Sequence, residues 1–264
     1  MCLLTFLPDG VLPDTDALFN GAHLCDDGHG YAIVTNDRVL VRHGMAAEPM
    51  IEAFHTARLE HPDGPALFQS RLSTHGTERD LANCHPFLLG GDPRTVIAHN
   101  GVLPKVVQPL KGDPRSDTRI AAEWFLPAFG SLRRRRTRLR VERWMTPANK
   151  MVLLTVDRSF RDRAYILNEP EGIWEDGIWY SNDAYLPYLP PRRLGWDDTL
   201  WDWPSGGPPH WAINECTTCQ ALIDITDPQC PYCGGCPACG DWPESCGCHT
   251  PSAIEHRLSA AHRD

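Results

Sequence analysis

The stretch from Arg71 to Leu103 reads R-L-S-T-H-G-T-E-R-D-L-A-N-C-H-P-F-L-L-G-G-D-P-R-T-V-I-A-H-N-G-V-L. An apolar-rich run, Ala66 to Ser73, predicts a strand that leads into Thr74-His75-Gly76. A second run, Thr95 to Ala98, is rich in β-branched residues and leads into His99-Asn100-Gly101. Strands hold the groups at their ends rigidly, and a glycine lets the backbone approach a ligand closely. The stretch therefore predicts a functional site where the two strands end.

Length and charge restrict the classes of protein that this sequence can belong to. A chain of 264 residues can form one sizeable core and a small appendage. No segment approaches the ~20 apolar residues of a membrane span, so we expect no membrane partner. Leu3 to Leu7 is too short for a signal-peptide core and lacks a basic flank, which predicts a cytoplasmic protein. The net charge of −9 argues against general affinity for nucleic acids.

Five short motifs stand in a fixed order along the chain. They are Met1-Cys2, Arg71-Leu-Ser-Thr-His-Gly76, Asn83-Cys-His-Pro86, His99-Asn-Gly101 and Ser116-Asp-Thr118. Together they resemble the class II glutamine amidotransferases, which are N-terminal-nucleophile enzymes that take ammonia from glutamine. The chain departs from many of these proteins at Leu72, where they carry Trp.

The resemblance also implies a fold. The pattern of apolar runs alone predicts the α+β class with an antiparallel sheet. The resemblance extends this to two facing antiparallel sheets between helix layers, the four-layer αββα sandwich of N-terminal-nucleophile hydrolases. It implies glutamine as the substrate.

Cys2 is the nucleophile that the resemblance implies. Without the other motifs, it would be interpreted as an ordinary buried thiol. Removal of Met1 would leave the α-amine of Cys2 free, and an α-amine has a pKa of ~7.7–8. Such an amine can accept the thiol proton near neutral pH, so the nucleophile and its base would belong to one residue.

Asn100 and Gly101 are predicted to form the oxyanion hole. The resemblance gives this role to the side-chain amide of Asn100 and the backbone N–H of Gly101. The alternative for the dipeptide alone is a simple Asn-Gly hairpin turn.

The remaining site predictions concern the two ends of an amino-acid substrate. Arg71 is predicted to bind the α-carboxylate, because a guanidinium pairs with a carboxylate through two hydrogen bonds. The resemblance implies that Asp117 binds the α-amine, and Ser116 or Asp117 can also begin a helix as an N-terminal cap. We expect Thr74 and His75 to line the pocket. For His85 we favour a role in ordering its loop over acid–base chemistry.

Periodicity and turn residues predict the other elements of this part of the chain. The expected helices are Thr15 to Leu24, capped by Asp14, Pro49 to Leu59 and Thr118 to Phe129. The expected strands are Cys2 to Leu7, Tyr31 to Thr35, Arg38 to Arg42, Met151 to Asp157 and Ala164 to Asn168, with a closing hairpin from Gly172 to Asn182.

The run from Leu132 to Arg143 contains seven arginines. Such a run can contact phosphate groups or dock an acidic partner. It has no interleaved aromatic residues, and the spacing of Leu139, Val141 and Trp144 predicts that one side packs against the core. We favour a solvated helix face.

Eight of the eleven cysteines lie in the C-terminal part of the chain. Clustering of this kind in a chain without an export signal favours metal binding over disulfides. Four closely spaced cysteine pairs supply two tetrahedral, purely structural zinc sites, and zinc would provide the folding energy of this segment. Consecutive pairing is favoured over a cross-braced arrangement, and His249 can replace its neighbour as a ligand. The predicted zinc ligands are Cys216, Cys219, Cys230, Cys233, Cys236, Cys239, Cys246 and Cys248.

These predictions divide the chain into four parts. Residues 1–188 form the glutaminase domain, and residues 189–211 form a Pro- and Trp-rich linker or strap. Residues 212–249 form the double zinc module, and residues 250–264 form a tail.

The predicted function is hydrolysis of glutamine to glutamate and ammonia through a thioester on Cys2. No phosphate-binding glycine loop appears, so we expect the ammonia acceptor to lie on a separate synthetase chain. One alternative keeps the same site but hydrolyses a γ-glutamyl amide with a larger amine. Another class of function is a zinc- and Arg-rich nucleic-acid-binding or interaction protein with an inactive first domain. The intact set of Cys2, Arg71, Asn100 and Asp117 argues against inactivity.

Overall fold

The computed structural model describes residues 2–74, 76–77 and 79–187, and the backbone of two short strands further along the chain. Two compact units can be distinguished, Met1–Pro190 and Pro191–Asp264. In the second unit, strand β11 (Ile213–Glu215) pairs antiparallel with β12 (Leu222–Asp224). The predicted linker, the zinc ligands and the tail lie outside the described residues.

The first unit mixes helices and strands. Its strands are β1 (Leu3–Leu7), β2 (His29–Val34), β3 (Val39–Gly44), β4 (Ala66–Ser70), β5 (Phe87–Leu89), β6 (Asp92–Asn100), β7 (Lys150–Thr155), β8 (Ala164–Leu167), β9 (Ile173–Glu175) and β10 (Ile178–Tyr180). Its α-helices are α1 (Thr15–Leu24), α2 (Ala47–Glu60), α3 (Asp117–Ile120), α4 (Leu126–Phe129) and α5 (Arg135–Met145). Short 3₁₀ turns cover Leu81–Asn83, Lys105–Val107, Glu169–Glu171 and Asp183–Tyr185. No helix in the described part is both long enough and apolar enough to cross a bilayer.

The first sheet has six strands in the order β3-β2-β4-β1-β10-β9. All neighbours pair antiparallel. All five residues of β1 are buried, because the sheet is covered on both faces. Leu3 pairs with Ser70, and this register places Cys2 beside the residues that follow β4.

The second sheet has four strands in the order β5-β6-β7-β8, and its neighbours are also antiparallel. Strand β6 is longer than the predicted Thr95 to Ala98 and runs to Asn100, which pairs with Lys150 of β7. The strand thus delivers Asn100 and Gly101 at its end, as the apolar run predicts.

Three apolar clusters give the order of the layers. One lies between helices α1 and α2 and the first sheet, and it includes Phe54 and Phe68. Another lies between the two sheets, with Leu67 and Val152 as members. The third joins the second sheet to α3, α4 and α5 and contains Val141. Burial of each such side chain stabilises the fold by ~1.5–3 kcal/mol. The layers are therefore helix, sheet, sheet and helix.

The structure confirms α1 with the predicted bounds and differs from the prediction for the helix after Ser116. Asp14 caps α1 by accepting a hydrogen bond from the backbone N–H of Ala17 at 3.0 Å. The predicted helix from Thr118 to Phe129 is interrupted by a π-helical turn, Ala121–Phe125, between α3 and α4. Pro127 follows this turn, and since proline has no N–H and crowds the carbonyl four residues earlier, a wider turn fits the sequence better.

Helix α5 carries most of the arginine run. Its buried side is formed by Thr137, Val141 and Met145, which are four residues apart. Arg138 stacks over the ring of Tyr165 at 3.8 Å, and Arg140 stacks over an aromatic ring of α4 at 4.9 Å. Parts of the run thus pack on aromatic rings, while Arg134, Arg135, Arg136 and Arg143 are exposed.

Candidate active site

A cleft of about 260 Å³ lies where β1, β4 and β6 meet their loops. Six residues of the sequence-predicted site line it or stand directly behind it in the structure. Cys2, Arg71, Thr74, Gly101 and Asp117 line the cleft, and Asn100 precedes Gly101 at the end of β6. The predicted pocket residue His75 lies outside the described residues. The remaining lining residues are Leu72, His85, His99, Ser116 and Thr118.

The Cys2 thiol is almost fully buried, with 9% of the residue exposed. The backbone N–H of Leu72 donates to Sγ at 3.3 Å, and the thiol lies 3.4 Å from the Leu72 carbonyl oxygen. The carbonyl of Cys2 accepts a hydrogen bond from the side chain of Asn182 at 2.9 Å. Burial raises the pKa of the thiol, and the Leu72 contact and nearby positive charges offset this only in part. The thiol is therefore protonated at neutral pH, and a base is needed to make it a nucleophile.

Arg71 is held by the loop that follows β4 and by the turn that precedes β2. Its backbone N–H donates to the carbonyl of Gly28 at 2.8 Å. One terminal nitrogen of the guanidinium, Nη2, donates to the Ser73 hydroxyl at 2.9 Å and to the Thr77 carbonyl at 3.3 Å. The other, Nη1, lies 3.5 Å from the carbonyl oxygen of Asp27. These contacts fix a buried positive charge at the wall of the cleft.

Asn83 ties the two loops of the cleft together. Its side-chain amide donates to the carbonyl of Pro114 at 2.7 Å, and its oxygen accepts from the backbone N–H of Ser116 at 2.9 Å. Gly76 has φ +77° and lies so near this segment that a Cβ would come within 2.8 Å of Arg115 and Pro114 backbone atoms. The sequence places Asn83 in a motif but gives it no role, and the structure shows that it joins the R-L-S-T-H-G loop to the S-D-T segment.

Asp117 faces the cleft at the first position of α3. Its carboxylate accepts hydrogen bonds from the backbone N–H groups of Leu103 and Thr118, at 2.8 and 2.7 Å. Ser116 is the N-terminal cap, because its hydroxyl accepts from the backbone N–H of Arg119 at 3.2 Å. A carboxylate has about four acceptor positions, so that of Asp117 can accept further hydrogen bonds from a ligand.

His99 belongs to the site, although sequence reasoning assigned it no function. Its ring nitrogens lie 2.9 Å from the Thr118 hydroxyl and 2.9 Å from Oδ1 of Asn149. Burial lowers the pKa of His99, so the ring is neutral, and Nε2 donates because an amide oxygen can only accept. Gly101, with φ +129°, lies against the same Asn149 oxygen, which a Cβ at Gly101 would overlap. A residue with a side chain would therefore displace the backbone that is predicted to bind the oxyanion.

Asn100 connects the second sheet to the first. Its Nδ2 donates to the hydroxyl of Ser181 at 2.8 Å, and that hydroxyl also accepts from the backbone N–H of Leu4 at 2.9 Å. Sequence reasoning missed Ser181 and its neighbour Asn182. The sequence does contain a signal for them, because both are polar residues directly after β10. The rule that strands fix polar groups at their ends applies to them too.

His85 lines the cleft with a ring that is buried but not hydrogen-bonded. The residue is 5% exposed, and within the described part of the chain neither ring nitrogen has a hydrogen-bond partner. Its ring meets the edge of Phe87 at a centroid distance of 4.7 Å. Burial holds the pKa of His85 well below its usual range, so the ring is neutral. The side chain can therefore order its loop only by packing, and its nitrogens remain available to a ligand.

The described residues contain no group of three or more His, Cys, Asp or Glu side chains that could bind a metal ion. The cleft residues thus offer groups for nucleophilic attack and for binding charge. The eight predicted zinc ligands lie beyond the residues that the structure describes, so the zinc sites remain predictions.

Comparison with known proteins gives structural similarities only. No family model and no curated protein matches the sequence. Glutamine phosphoribosylpyrophosphate amidotransferase from B. subtilis is similar in structure, with a TM-score of 0.43, 15% identity, and coverage of 68% of this chain and 41% of that chain. A structure described as the allosteric regulatory enzyme of purine biosynthesis has a TM-score of 0.39 and 12% identity, with the same coverage of 68% and 41%. A glutamine aminotransferase class-II domain protein from Silicibacter pomeroyi has a TM-score of 0.30 and 14% identity, with coverage of 60% of this chain and 79% of that chain. The chain thus spans about two fifths of the length of the first two proteins.

Proposed function

We propose that the first unit is a glutaminase of the class II amidotransferase type, with the αββα fold of N-terminal-nucleophile hydrolases. One observation carries the proposal. The ends of two sheets and the start of α3 bring Cys2, Arg71, Gly101 and Asp117 to one cleft, although these residues span more than 110 positions of the sequence. These are the residues that the motif resemblance selects, and the helix–sheet–sheet–helix order supports the same fold.

The proposed reaction begins at Cys2 after removal of Met1. The α-amine of Cys2 takes the thiol proton, and Sγ attacks the side-chain amide carbon of glutamine. The resulting oxyanion accepts hydrogen bonds from the backbone N–H of Gly101 and the carboxamide of Asn100. The C–N bond then breaks, and the proton held by the amine passes to the leaving ammonia. Water attacks the thioester and releases glutamate, which regenerates the thiol. Burial raises the pKa of the thiol, so the thiol needs a base to become a nucleophile.

The two charged residues would bind the amino-acid end of the substrate. Arg71 would bind the α-carboxylate and exchange some of its hydrogen bonds to Ser73 and Thr77 for bonds to the ligand. Asp117 would accept a hydrogen bond from the α-amine while it keeps its bonds to the backbone. Thr74 would form part of the same wall.

The test uses the full-length chain purified without modification. We expect its mass to correspond to loss of Met1 and its assay to show glutamate and ammonia formed from glutamine. Cys2→Ala should abolish this activity. Cys84→Ala is the matched control, because Cys84 is also a buried thiol but does not line the cleft.

Other outcomes of this experiment would contradict parts of the proposal. Full activity in protein that retains Met1 would reject the free-amine mechanism. Faster hydrolysis of a γ-glutamyl amide with a larger amine would favour the alternative hydrolase. Absence of both activities in folded protein that begins at Cys2 would reject the glutaminase.

We also propose that the ammonia passes to an acceptor on a separate synthetase chain. The Cys-rich segment is the candidate docking surface for that chain. Affinity capture with the full-length protein, followed by assays of the captured pair with glutamine, tests this. The pair should consume glutamine and form an aminated product, and deletion of residues 212–264 should reduce that product while glutamate formation continues.

The Cys-rich segment is proposed to bind two structural zinc ions. The support is chemical, since eight thiolates in closely spaced pairs complete two tetrahedral sets and leave no open position for catalysis. Metal analysis of protein purified without chelator should give close to two zinc ions per chain. Iron in place of zinc, or oxidised cysteines without metal, would contradict the proposal.

A further inference from the structure

Ser181 lies at the junction of the nucleophile and the predicted oxyanion hole. It is completely buried and follows β10 directly. Its backbone N–H donates to the carbonyl of Leu4 at 2.9 Å, and its hydroxyl accepts from the Leu4 backbone N–H at 2.9 Å. The next residue, Asn182, donates to the carbonyl of Cys2. One dipeptide thus contacts both the strand that carries the nucleophile and, through Ser181, the side chain of Asn100.

The hydrogen bonds at this junction leave one buried acceptor, Oδ1 of Asn100, without a donor among the described residues. The Ser181 hydroxyl meets two donors, the Leu4 N–H and Nδ2 of Asn100. The Oδ1 of Asn100 is buried and lacks a hydrogen-bond partner among the described residues. A hydroxyl can donate one hydrogen bond and accept two, whereas an amide oxygen can only accept. The oxygen and nitrogen of a carboxamide have nearly the same shape, so the hydrogen-bond network decides which end lies where.

If the carboxamide of Asn100 is rotated by about half a turn, its oxygen faces the Ser181 hydroxyl and gains a donor. Ser181 then accepts from Leu4 and donates its own O–H to Oδ1 of Asn100. Nδ2 then occupies the former position of Oδ1, which has no hydrogen-bond partner among the described residues, so both of its N–H groups are available. An oxyanion hole needs a donor of this kind, oriented before the reaction begins.

We infer that Ser181 is a positioning residue that turns the amide nitrogen of Asn100 toward the oxyanion. The inference rests on the proposed function, because it gives Asn100 the role of oxyanion donor. Ser181 would not contact the substrate. Its hydroxyl would fix the orientation of Asn100 relative to the strand that begins after Cys2.

The test is a comparison of steady-state kinetics in the full-length protein. We expect Ser181→Ala to lower kcat by about 10- to 100-fold, somewhat less than the loss of an oxyanion donor itself, and to change KM little. The double variant with Asn100→Ala should be no slower than Asn100→Ala alone, since Ser181 acts only through Asn100. Thr95→Val is the matched control, because it removes a buried hydroxyl hydrogen bond, to Thr155, within the same strand but five residues before Asn100. It should change thermal stability and leave kcat unaltered.

The outcomes separate this inference from the proposed function. Wild-type protein without glutaminase activity would overturn the proposed function itself. Active wild-type protein with an unchanged kcat in Ser181→Ala would overturn the role of Ser181 alone. The same conclusion would follow if the effects of Ser181→Ala and Asn100→Ala multiplied in the double variant. If Ser181→Ala does not fold, Ser181→Cys serves instead, because a thiol of similar shape donates and accepts hydrogen bonds only weakly.

Discussion

The cleft at Cys2 and a groove at the opposite end of β2 differ in size and in how far their lining residues are buried. Counted together with the open solvent at their mouths, the cleft encloses about 260 Å³ and the groove about 630 Å³. Most residues that line the cleft are buried, including Arg71 and Asp117, which are 3% and 5% exposed. The groove is lined mainly by exposed residues, among them Asn36, Asp37, Arg38, Glu60 and Asp63.

The two sites differ in how their polar side chains are held and solvated. In the cleft, Asp117 and His99 are held by neighbours, and burial has already removed their water. Such groups are oriented before a ligand arrives, and the charge of the buried Asp117 carboxylate is weakly screened. In the groove, water solvates the exposed side chains, and ordering them around a ligand would cost conformational entropy. The smaller site is therefore the better candidate for chemistry, and matched substitutions in the two places can test this.

The largest contrast is expected between two asparagines. Asn100→Ala should lower kcat for glutamine by about 100- to 1000-fold, because an oxyanion donor acts mainly in the transition state. Asn36→Ala, in the groove, should leave both kcat and KM unchanged. Steady-state glutaminase assays of both variants give the comparison. An Asn100→Ala enzyme with the kcat of the wild type would show that the oxyanion is bound elsewhere.

A smaller contrast is expected between two aspartates, one in the cleft and one in the groove. Asp117→Asn should raise KM by about 10- to 100-fold, since a hydrogen bond between charged groups is lost, with a lesser change in kcat. Asp37→Asn in the groove is the control and should have no effect. The assay measures the dependence of rate on glutamine concentration. A lower kcat at an unchanged KM would assign Asp117 to the chemical step instead of substrate binding.

The sequence predicts the components of the cleft better than the contacts between them. The apolar runs place Cys2, Arg71 and Gly101 at strand ends, because strand burial and period can be read locally. The contact of Ser181 with Asn100 joins residues 81 positions apart, and pairing at that distance depends on the order of strands in two sheets. Motif resemblance supplied what local patterns could not, namely which strand ends meet.

Two local differences have physical explanations. Arg58 was predicted only as part of a helix, yet it is completely buried and donates to the carbonyls of Val11 and His61. A long side chain in a helical pattern does not reveal whether loops will close over it. Periodicity alone predicted a continuous helix after Ser116, and it took no account of Pro127, next to which the chain forms a π-helical turn.

A still smaller kinetic effect is expected at His85. His85→Leu should lower kcat/KM by about 10-fold, through loss of a hydrogen bond to a ligand, while the unfolding temperature stays close to that of the wild type. The ring has no hydrogen bond to lose among the described residues, so its replacement by an apolar group leaves no partner unsatisfied. His61→Leu in the groove is the matched control. If His85→Leu had unchanged kinetics and a lower unfolding temperature, His85 would serve only to order its loop.

The last contrast concerns stability as a function of pH. Burial lowers the pKa of four histidines, and all four lie at the cleft end of the first unit: His29, His43, His85 and His99. An unfolded histidine has a pKa of ~6.5, so below that pH the unfolded chain binds protons that the folded chain does not. The free energy of unfolding should therefore be highest above about pH 6.5 and fall as the pH approaches the lowered values.

Each of these histidines can contribute a slope of up to ~1.4 kcal/mol per pH unit, which lowers the unfolding temperature by a few degrees. Asp113 and Asp157 do not interfere, because both stay charged in this range. Hydrogen bonds from Arg115 lower the pKa of Asp113 to about 2, and Ser159 together with nearby arginines lowers that of Asp157 to about 2. Urea unfolding between about pH 7.5 and pH 5.5 measures the slope. His85→Leu should make the slope shallower, because one histidine with a lowered pKa is removed. Stability that is constant across this range would mean that the cleft end admits water and that these rings are protonated in the folded protein.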